Sequence, residues 1–343
     1  MRSVLLTAAL LAVAVPLTAR ADFDRAAFMR MAMSTVRVEA LAPDHHYNMG
    51  TGVIVAPGRV VTSCHVTGPA PSVRVLYGGL RHNVKLQRAD VHHDLCMLDV
   101  PELDGPPANV GSTTSLKLGD QVIAMGFTGG YELQFADGVV RGLQLEHGLP
   151  IIKSSTAFNS GASGGGLFDS EGRLVGILTF RLRGTEDCYY SMPVDWFKNW
   201  VASKEGFEPL RLLDEARPVW QEETDRQPLF LQAAALELKR DWEGLRALGL
   251  RWTADEPANA ESWLTLGKAQ MALHNENEAG AALRKATQVE PALAEAWFTL
   301  GKFCALHQQA EQRHVAQQTL DRLDPVLAAQ LADLVPPARD PAQ

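Results

Sequence analysis

Asn159-Ser-Gly161-Ala-Ser163-Gly164-Gly165-Gly166-Leu167 is the stretch on which the reading of this chain turns. A serine hydroxyl offered as a nucleophile needs a tight turn that exposes it, and glycines around it let backbone N–H groups converge on a developing oxyanion. Taken alone, the run also suits a glycine-rich hairpin turn. The surrounding sequence has to decide between these readings.

Outward from Ser163, the residues from about 22 to 203 are written as short β-branched runs broken by Gly, Pro, Asp and Asn: Gly52-Val-Ile-Val, Val73-Arg-Val-Leu-Tyr, Gln121-Val-Ile-Ala-Met and Leu174-Val-Gly-Ile-Leu-Thr-Phe. Many short strands with turn signals between them predict an all-β barrel or sandwich. Two of the runs carry chemistry. Val60-Val-Thr-Ser-Cys64-His65-Val sets a histidine just after a strand, and His93-Asp94-Leu-Cys96-Met-Leu sets an aspartate just before one. A hydroxyl needs a base to take its proton, and the base needs a carboxylate on its other nitrogen to fix the tautomer and stabilise the imidazolium.

The chain order His65, Asp94, Ser163 is that of the chymotrypsin-type double barrel. With Gly50-Thr-Gly-Val-Ile-Val, Leu118-Gly-Asp-Gln-Val-Ile-Ala-Met-Gly and Leu167-Phe-Asp-Ser-Glu-Gly-Arg-Leu-Val-Gly-Ile, residues 50 to 195 resemble the trypsin-like serine peptidases of the HtrA/Deg group. The resemblance implies a Ser-His-Asp endopeptidase acting through an acyl-enzyme, without a cofactor. His65 would be the general base, Asp94 its orienting carboxylate and Ser163 the nucleophile, with an oxyanion hole at the N–H groups of Gly161 and Ser163. Two positions depart from that family: Ala162 stands where Asn or Asp is usual, and Gly166 where Pro is usual. Both imply a looser loop and a resting state with a collapsed oxyanion hole. The PDZ domain common in the group is absent from the sequence. The strand near Tyr189 to Pro193 and the loop before Ser163 are expected to line the specificity pocket. A catalytically silent trypsin-fold scaffold that binds proteins is the alternative, and hydrolysis of small acyl esters is a third reading.

The 343 residues suit two domains better than one. From about 227 to 335 the text changes to Ala, Leu, Glu, Gln and Arg with apolar residues every three or four positions, which predicts helices. Trp263 and Trp297, Gly267 and Gly301, and Pro257, Pro291 and Pro325 each recur at an interval of 34. With Leu266, Ala279, Leu283 and Ala286, this period resembles the tetratricopeptide (TPR) repeat family, whose stacks bind peptide or protein partners. Arg313 replaces the small residue of the first copy at Ala279, which suggests a terminal, capping unit. The expected fold class is thus multi-domain: an all-β chymotrypsin-like double β-barrel over 22–203, a linker over 204–226 marked by Pro209 and Pro218, and an all-α TPR-type helical repeat domain over 227–335. Residues 336–343 read as a disordered tail.

Arg2, the apolar run Val4 to Leu17 and Ala19-Arg20-Ala21 read as a signal peptide cleaved after Ala21, and therefore as a periplasmic or secreted protein with no stable membrane insertion. A formal charge of −8 without a basic cluster argues against nucleic acid as a partner. Cys64 and Cys96 flank His65 and Asp94, so either a disulfide staple or two buried thiols would fit. No metal is expected. His45-His46 and His92-His93 resemble ligand pairs, but adjacent residues on a strand point to opposite faces, and the pairs are taken as surface histidines.

Overall fold

The computed structural model describes residues 24–68, 70–182, 188–213 and 217–334. The expected signal peptide, 1–21, and the tail, 336–343, lie outside them. The described part opens with a helix that the strand-like text did not announce, α1 (Arg25–Ser34). Asp24 caps it by accepting the N–H of Ala26, and its alanines and methionines are good helix formers. Its Met31 enters the core between the sheets.

Seven strands follow: β1 (Thr35–Leu41), β2 (Tyr47–Ala56), β3 (Arg59–Ser63), β4 (Ser72–Tyr77), β5 (Leu80–Asn83), β6 (Leu86–Asp90) and β7 (Leu95–Asp99), with the single turn α2 (Cys64–Thr67) after β3. Then come β8 (Gln121–Thr128), β9 (Glu132–Glu146), β10 (Leu149–Ser154), β11 (Gly166–Asp169), β12 (Leu174–Leu182) and β13 (Cys188–Pro193), the turn α3 (Lys198–Val201) and the two-residue β14 (Glu208–Pro209). The second group closes into a six-stranded antiparallel barrel in the order β10-β13-β12-β11-β8-β9. The first forms an eight-stranded sheet in the order β14-β6-β7-β3-β2-β1-β4-β5. Its edges, β14 and β5, do not pair with each other, so the expected pair of barrels is one closed barrel and one open sheet.

Strand β7 shows why the two pack together. Leu95, Cys96, Met97 and Leu98 are all fully buried, which a strand achieves only when both its faces are covered. Leu95 and Met97 face a core shared with Ile123, Met125 and Phe168 of the barrel, whereas Leu98 faces the first sheet's own core with Val36 and Val60. His65, Asp94 and Ser163 all come from connections at this junction, as α2 follows β3, Asp94 precedes β7, and Ser163 lies between β10 and β11.

Beyond residue 217 the chain is helical: α4 (Leu229–Lys239), α5 (Trp242–Asp255), α6 (Ala260–Ala272), α7 (Glu276–Val289), α8 (Ala294–Leu306), α9 (Ala310–Leu323) and α10 (Pro325–Ala332). Helices α5, α7 and α9 start at 242, 276 and 310, and α6 and α8 at 260 and 294, so the starts recur every 34 residues. Local contacts recur with them. The indole of Trp263 donates to the carbonyl of Pro257 and that of Trp297 to Pro291, each at 2.9 Å. A side chain on Gly267 would run into Leu283, which is why the period needs glycine there. The Pro325 position differs from a simple repeat end. It opens α10 at the first helical position, where its missing N–H costs nothing, with Asp324 capping Val326 and Leu327. Arg313 donates to the carbonyls of Leu331 and Leu334 and so closes the last helix.

The helical half is docked on the barrel. Lys153 of β10 meets Glu295 of α8 at 2.5 Å, Glu295 also accepts from Lys268 of α6 at 2.6 Å, Gln144 of β9 donates to Glu261 of α6 at 2.9 Å, and Arg141 of β9 meets Asp324 at 2.8 Å. The expected linker is itself packed: β14 pairs with β6, Leu213 donates to the carbonyl of Gly68 at 2.9 Å, and Val219, fully buried, donates to that of His92 at 2.8 Å.

Candidate active site

His65 stands on α2, two residues after the end of β3. Its ring Nδ1 lies 2.6 Å from Asp94 Oδ2, and its backbone N–H donates to Asp94 Oδ1 at 2.8 Å. Asp94 is fully buried in the turn before β7 and holds a left-handed backbone with φ 56°. The two stretches are tied again behind the pair. Cys64 N–H donates to the Asp94 carbonyl at 3.1 Å, and Cys64 and Cys96 form a disulfide across a Cα separation of 4.9 Å, which resolves the two alternatives that the sequence left open.

Ser163 occupies a turn whose shape depends on glycine. Gly161 and Gly164 have φ of 95° and 84°, and a Cβ on Gly164 would fall on the Thr51 carbonyl and the Thr62 hydroxyl. The carbonyl of Ser160 accepts from Gly129 N–H at 2.8 Å, and that of Ala162 from Gly165 N–H at 2.9 Å. In a trans peptide the N–H points opposite to the C=O, so these bonds turn the N–H groups of Gly161 and Ser163 away from both anchors. Among the described residues, neither N–H donates to another group. Thr51 reaches across from the first sheet. Its hydroxyl donates to the Gly161 carbonyl at 2.7 Å and accepts from Phe127 N–H at 2.8 Å, while its own N–H donates to the Ser163 carbonyl at 2.8 Å. Ala162, which offers no side-chain hydrogen bond, is buried against Gly126, and Gly166 lies inside β11. Packing and backbone bonds hold the loop where the sequence suggested looseness. The Ser163 hydroxyl donates to the Thr179 carbonyl at 3.4 Å. Phe158, in the loop before Ser163, packs on Tyr189 of β13 at 5.2 Å, so the two expected pocket walls do meet.

Trp220 joins the pair of His65 and Asp94 although no sequence motif marks it. It comes from the expected linker, yet its indole Nε1 donates to Asp94 Oδ2 at 3.3 Å and its ring stands edge-on to His65 at 5.6 Å. Behind it the rings of Phe180, Tyr190 and Phe230 stack in succession, which leads from the acid–base pair to α4. Only the Pro218-Val-Trp220 run, apolar inside a polar segment, hinted at burial.

His92 and His93 sit in the turn at residues 91–94 and not on a strand, so the expected strand alternation does not separate them. Both rings lie beside His147 of the β9–β10 turn, with centroids 5.4 Å and 5.3 Å away. Nearby, Asp90 accepts from the His93 ring at 2.6 Å. Burial works against its charge, but that hydrogen bond and the charge of His93 hold its carboxyl below the ordinary aspartate value.

With this geometry in place, the comparisons with known proteins fall into line. Residues 50–177 match the family model of the trypsin-like peptidase domain. A probable periplasmic serine endoprotease, DegP-like, of Hahella chejuensis is 34% identical over 162 residues, covering 45% of this chain and 34% of the relative. A protein of the same description from Pseudomonas savastanoi is 31% identical over 157 residues, covering 43% of this chain and 33% of its own length. The chain thus spans about a third of the length of the curated relatives it matches. Among solved structures, the Rv3671c protease from M. tuberculosis in its active form shares the fold at a TM-score of 0.50 and 22% identity, covering 61% of this chain and 98% of that one. No helix among the described residues is long and apolar enough to cross a membrane.

Proposed function

We propose that this chain is an exported serine endopeptidase that cleaves protein substrates through an acyl-enzyme. The observation that carries the reading is the 2.6 Å contact of His65 Nδ1 with buried Asp94, in a molecule that also holds two free N–H groups beside Ser163. Asp94 fixes the tautomer in which Nε2 of His65 is free to accept a proton. On substrate binding the Ser163 hydroxyl leaves the Thr179 carbonyl and gives its proton to His65 as Oγ attacks the scissile carbonyl. The tetrahedral oxyanion is received by the N–H groups of Gly161 and Ser163, and the imidazolium returns the proton to the leaving amine. Water then repeats the sequence to release the acyl group. The serine endoprotease names of the relatives support the activity, and their periplasmic description, with the Arg2 to Ala21 pattern, supports export.

The helical half is proposed as a TPR-type array that binds a protein partner or substrate. Its support is the 34-residue recurrence of helix starts and of the Trp-to-Pro contacts. Polar residues of α6 and α8 are already engaged by β9 and β10, so a partner takes the remaining surface or displaces the barrel from that face.

The test is labelling of the full chain with a fluorophosphonate, read by mass spectrometry at Ser163. Ser163→Ala is expected to abolish both labelling and cleavage of an unfolded protein, a loss on the order of a millionfold in kcat, with an unchanged thermal melt. Absence of labelling in the folded wild-type protein would favour the silent scaffold.

A further inference from the structure

We infer that His92, His93 and His147 form a binding site for one divalent cation of the zinc class, which ties the turn carrying Asp94 to the closed barrel. The three residues come from two places that only the fold unites, the β6–β7 turn of the first sheet and the β9–β10 turn of the barrel. One ring nitrogen from each lies within 4.8 Å of the other two. His93 Nε2 and His147 Nδ1 are 3.0 Å apart. Ligand atoms around a tetrahedral zinc ion, each at 2.0–2.1 Å, stand about 3.4 Å from one another, so small ring rotations bring these nitrogens to a common centre.

Three further observations point to a ligand. His92 Nε2 is buried without a hydrogen-bond partner, an uncommon state for an imidazole nitrogen unless something is to be bound there. His93 gives its Nδ1 to Asp90 at 2.6 Å, which leaves Nε2 facing His147. A carboxylate on the far nitrogen is the outer-shell arrangement that orients metal-binding histidines. The His93 ring is also fixed by stacking on Trp196 at 3.9 Å. Glu146 places a carboxylate oxygen 3.9 Å from His92 Nε2 and 3.7 Å from His147 Nε2, at the edge of the cluster, where it can partner a bound water. Three imidazoles suit zinc, which accepts N ligands and keeps a fourth position for water, and not calcium or magnesium, which take oxygen. Because His93 immediately precedes Asp94, and His92 accepts the N–H of Val219 one residue before Trp220, a bound ion would brace both supports of the acid–base pair.

The inference concerns binding and does not depend on peptidase activity. Metal-freed full-length chain is titrated with zinc chloride by calorimetry, and with Co2+ by visible absorption. One equivalent per chain is expected, with the intense d–d bands of four-coordinate cobalt and a dissociation constant on the order of 1 µM or tighter. His147→Asn, chosen because φ at this position is 47° and Asn accepts left-handed backbone, and His93→Gln should each weaken binding at least tenfold. Asp90→Asn keeps all three ligands and should cost about 10- to 100-fold in affinity. His45→Ala/His46→Ala, which removes the exposed pair elsewhere, should leave binding unchanged. A circular dichroism melt accompanies each variant, and Asp90→Asn carries the test if a ligand variant fails to fold. No saturable binding to the wild type, or undiminished binding to a folded His93→Gln/His147→Asn double variant, would overturn the assignment.

Discussion

Two zones join the helical half to the β half, and they are built from opposite materials. Beside the candidate site the contact is aromatic, with Trp220 on Phe180 at 5.3 Å, Phe180 on Tyr190 at 4.8 Å and Tyr190 on Phe230 at 5.6 Å. Along β9 and β10 it is ionic, with Lys153, Glu295 and Lys268 in one group and Arg141 and Asp324 in another. The two materials fail differently. One ring in a stack can replace another at modest loss, whereas deleting one member of a buried ion pair leaves its partner charged and uncompensated. The ionic zone therefore holds α6 and α8 on β9 and β10, and the aromatic zone is the one that reaches His65 and Asp94.

The largest test of that contrast is Glu295→Gln. It keeps the shape of the side chain but removes the direct charge partner of Lys153, so a loss of about 3 kcal/mol in unfolding free energy is expected by urea denaturation. A loss below about 1 kcal/mol would place this contact among exposed ion pairs and erase the distinction.

Mild acid should reproduce part of that loss in the unaltered protein. Burial alone would raise the Glu295 carboxyl, but Lys153 and Lys268 hold it well below the ordinary glutamate value. A group whose folded pKa is depressed contributes stability that is present above its unfolded value, near 4.5, and is lost as pH falls through the folded value. Burial raises the neighbouring Glu261 and the Glu295 charge raises it further, so Glu261 works in the opposite direction and offsets part of this effect in the wild type. The stability gap between wild type and Glu295→Gln should accordingly narrow below about pH 4.5. A gap that widens in acid would mean that Glu295 is not the charged partner of Lys153.

The smallest effect is expected in the aromatic zone. Trp220→Phe keeps the stack on Phe180 and removes only the hydrogen bond to Asp94. A fall of about tenfold in kcat/KM, equivalent to about 1.4 kcal/mol, is expected with little change in the melt. The loss should fall on kcat, since the indole touches the acid–base pair and not the expected pocket walls. Equal damage to stability and turnover would show that Trp220 is only a packing residue.

These contrasts also mark what the sequence could show. The strands around Val60, Leu95 and Leu174 were legible because short apolar runs bounded by turn residues are local signals, and the helical pairs because Trp, Gly and Pro return at a fixed interval. The candidate residues His65, Asp94 and Ser163 are marked by the short motifs around them. The supports of the site are not. Trp220 lies 126 residues from Asp94, Lys153 142 from Glu295 and Arg141 183 from Asp324, and nothing local predicts partners at those separations. Strand alternation does not apply to His92 and His93, because the turn before Asp94 takes them out of strand geometry. Helix α1 was missed because its apolar residues do not mark one clear face.

The left-handed backbone of Asp94 gives that position two independent filters. Chemistry asks for a carboxylate short enough to meet both the ring and the backbone N–H of His65, while conformation asks for one of the few side chains that tolerate a positive φ, among which Asn and Asp are enriched. Aspartate is the only residue that passes both. Glutamate keeps the charge but is one methylene longer and strains the turn, whereas asparagine fits the turn and forfeits the charge. Exchanging Asp94 for each in turn would separate shape from charge at a single address in the chain.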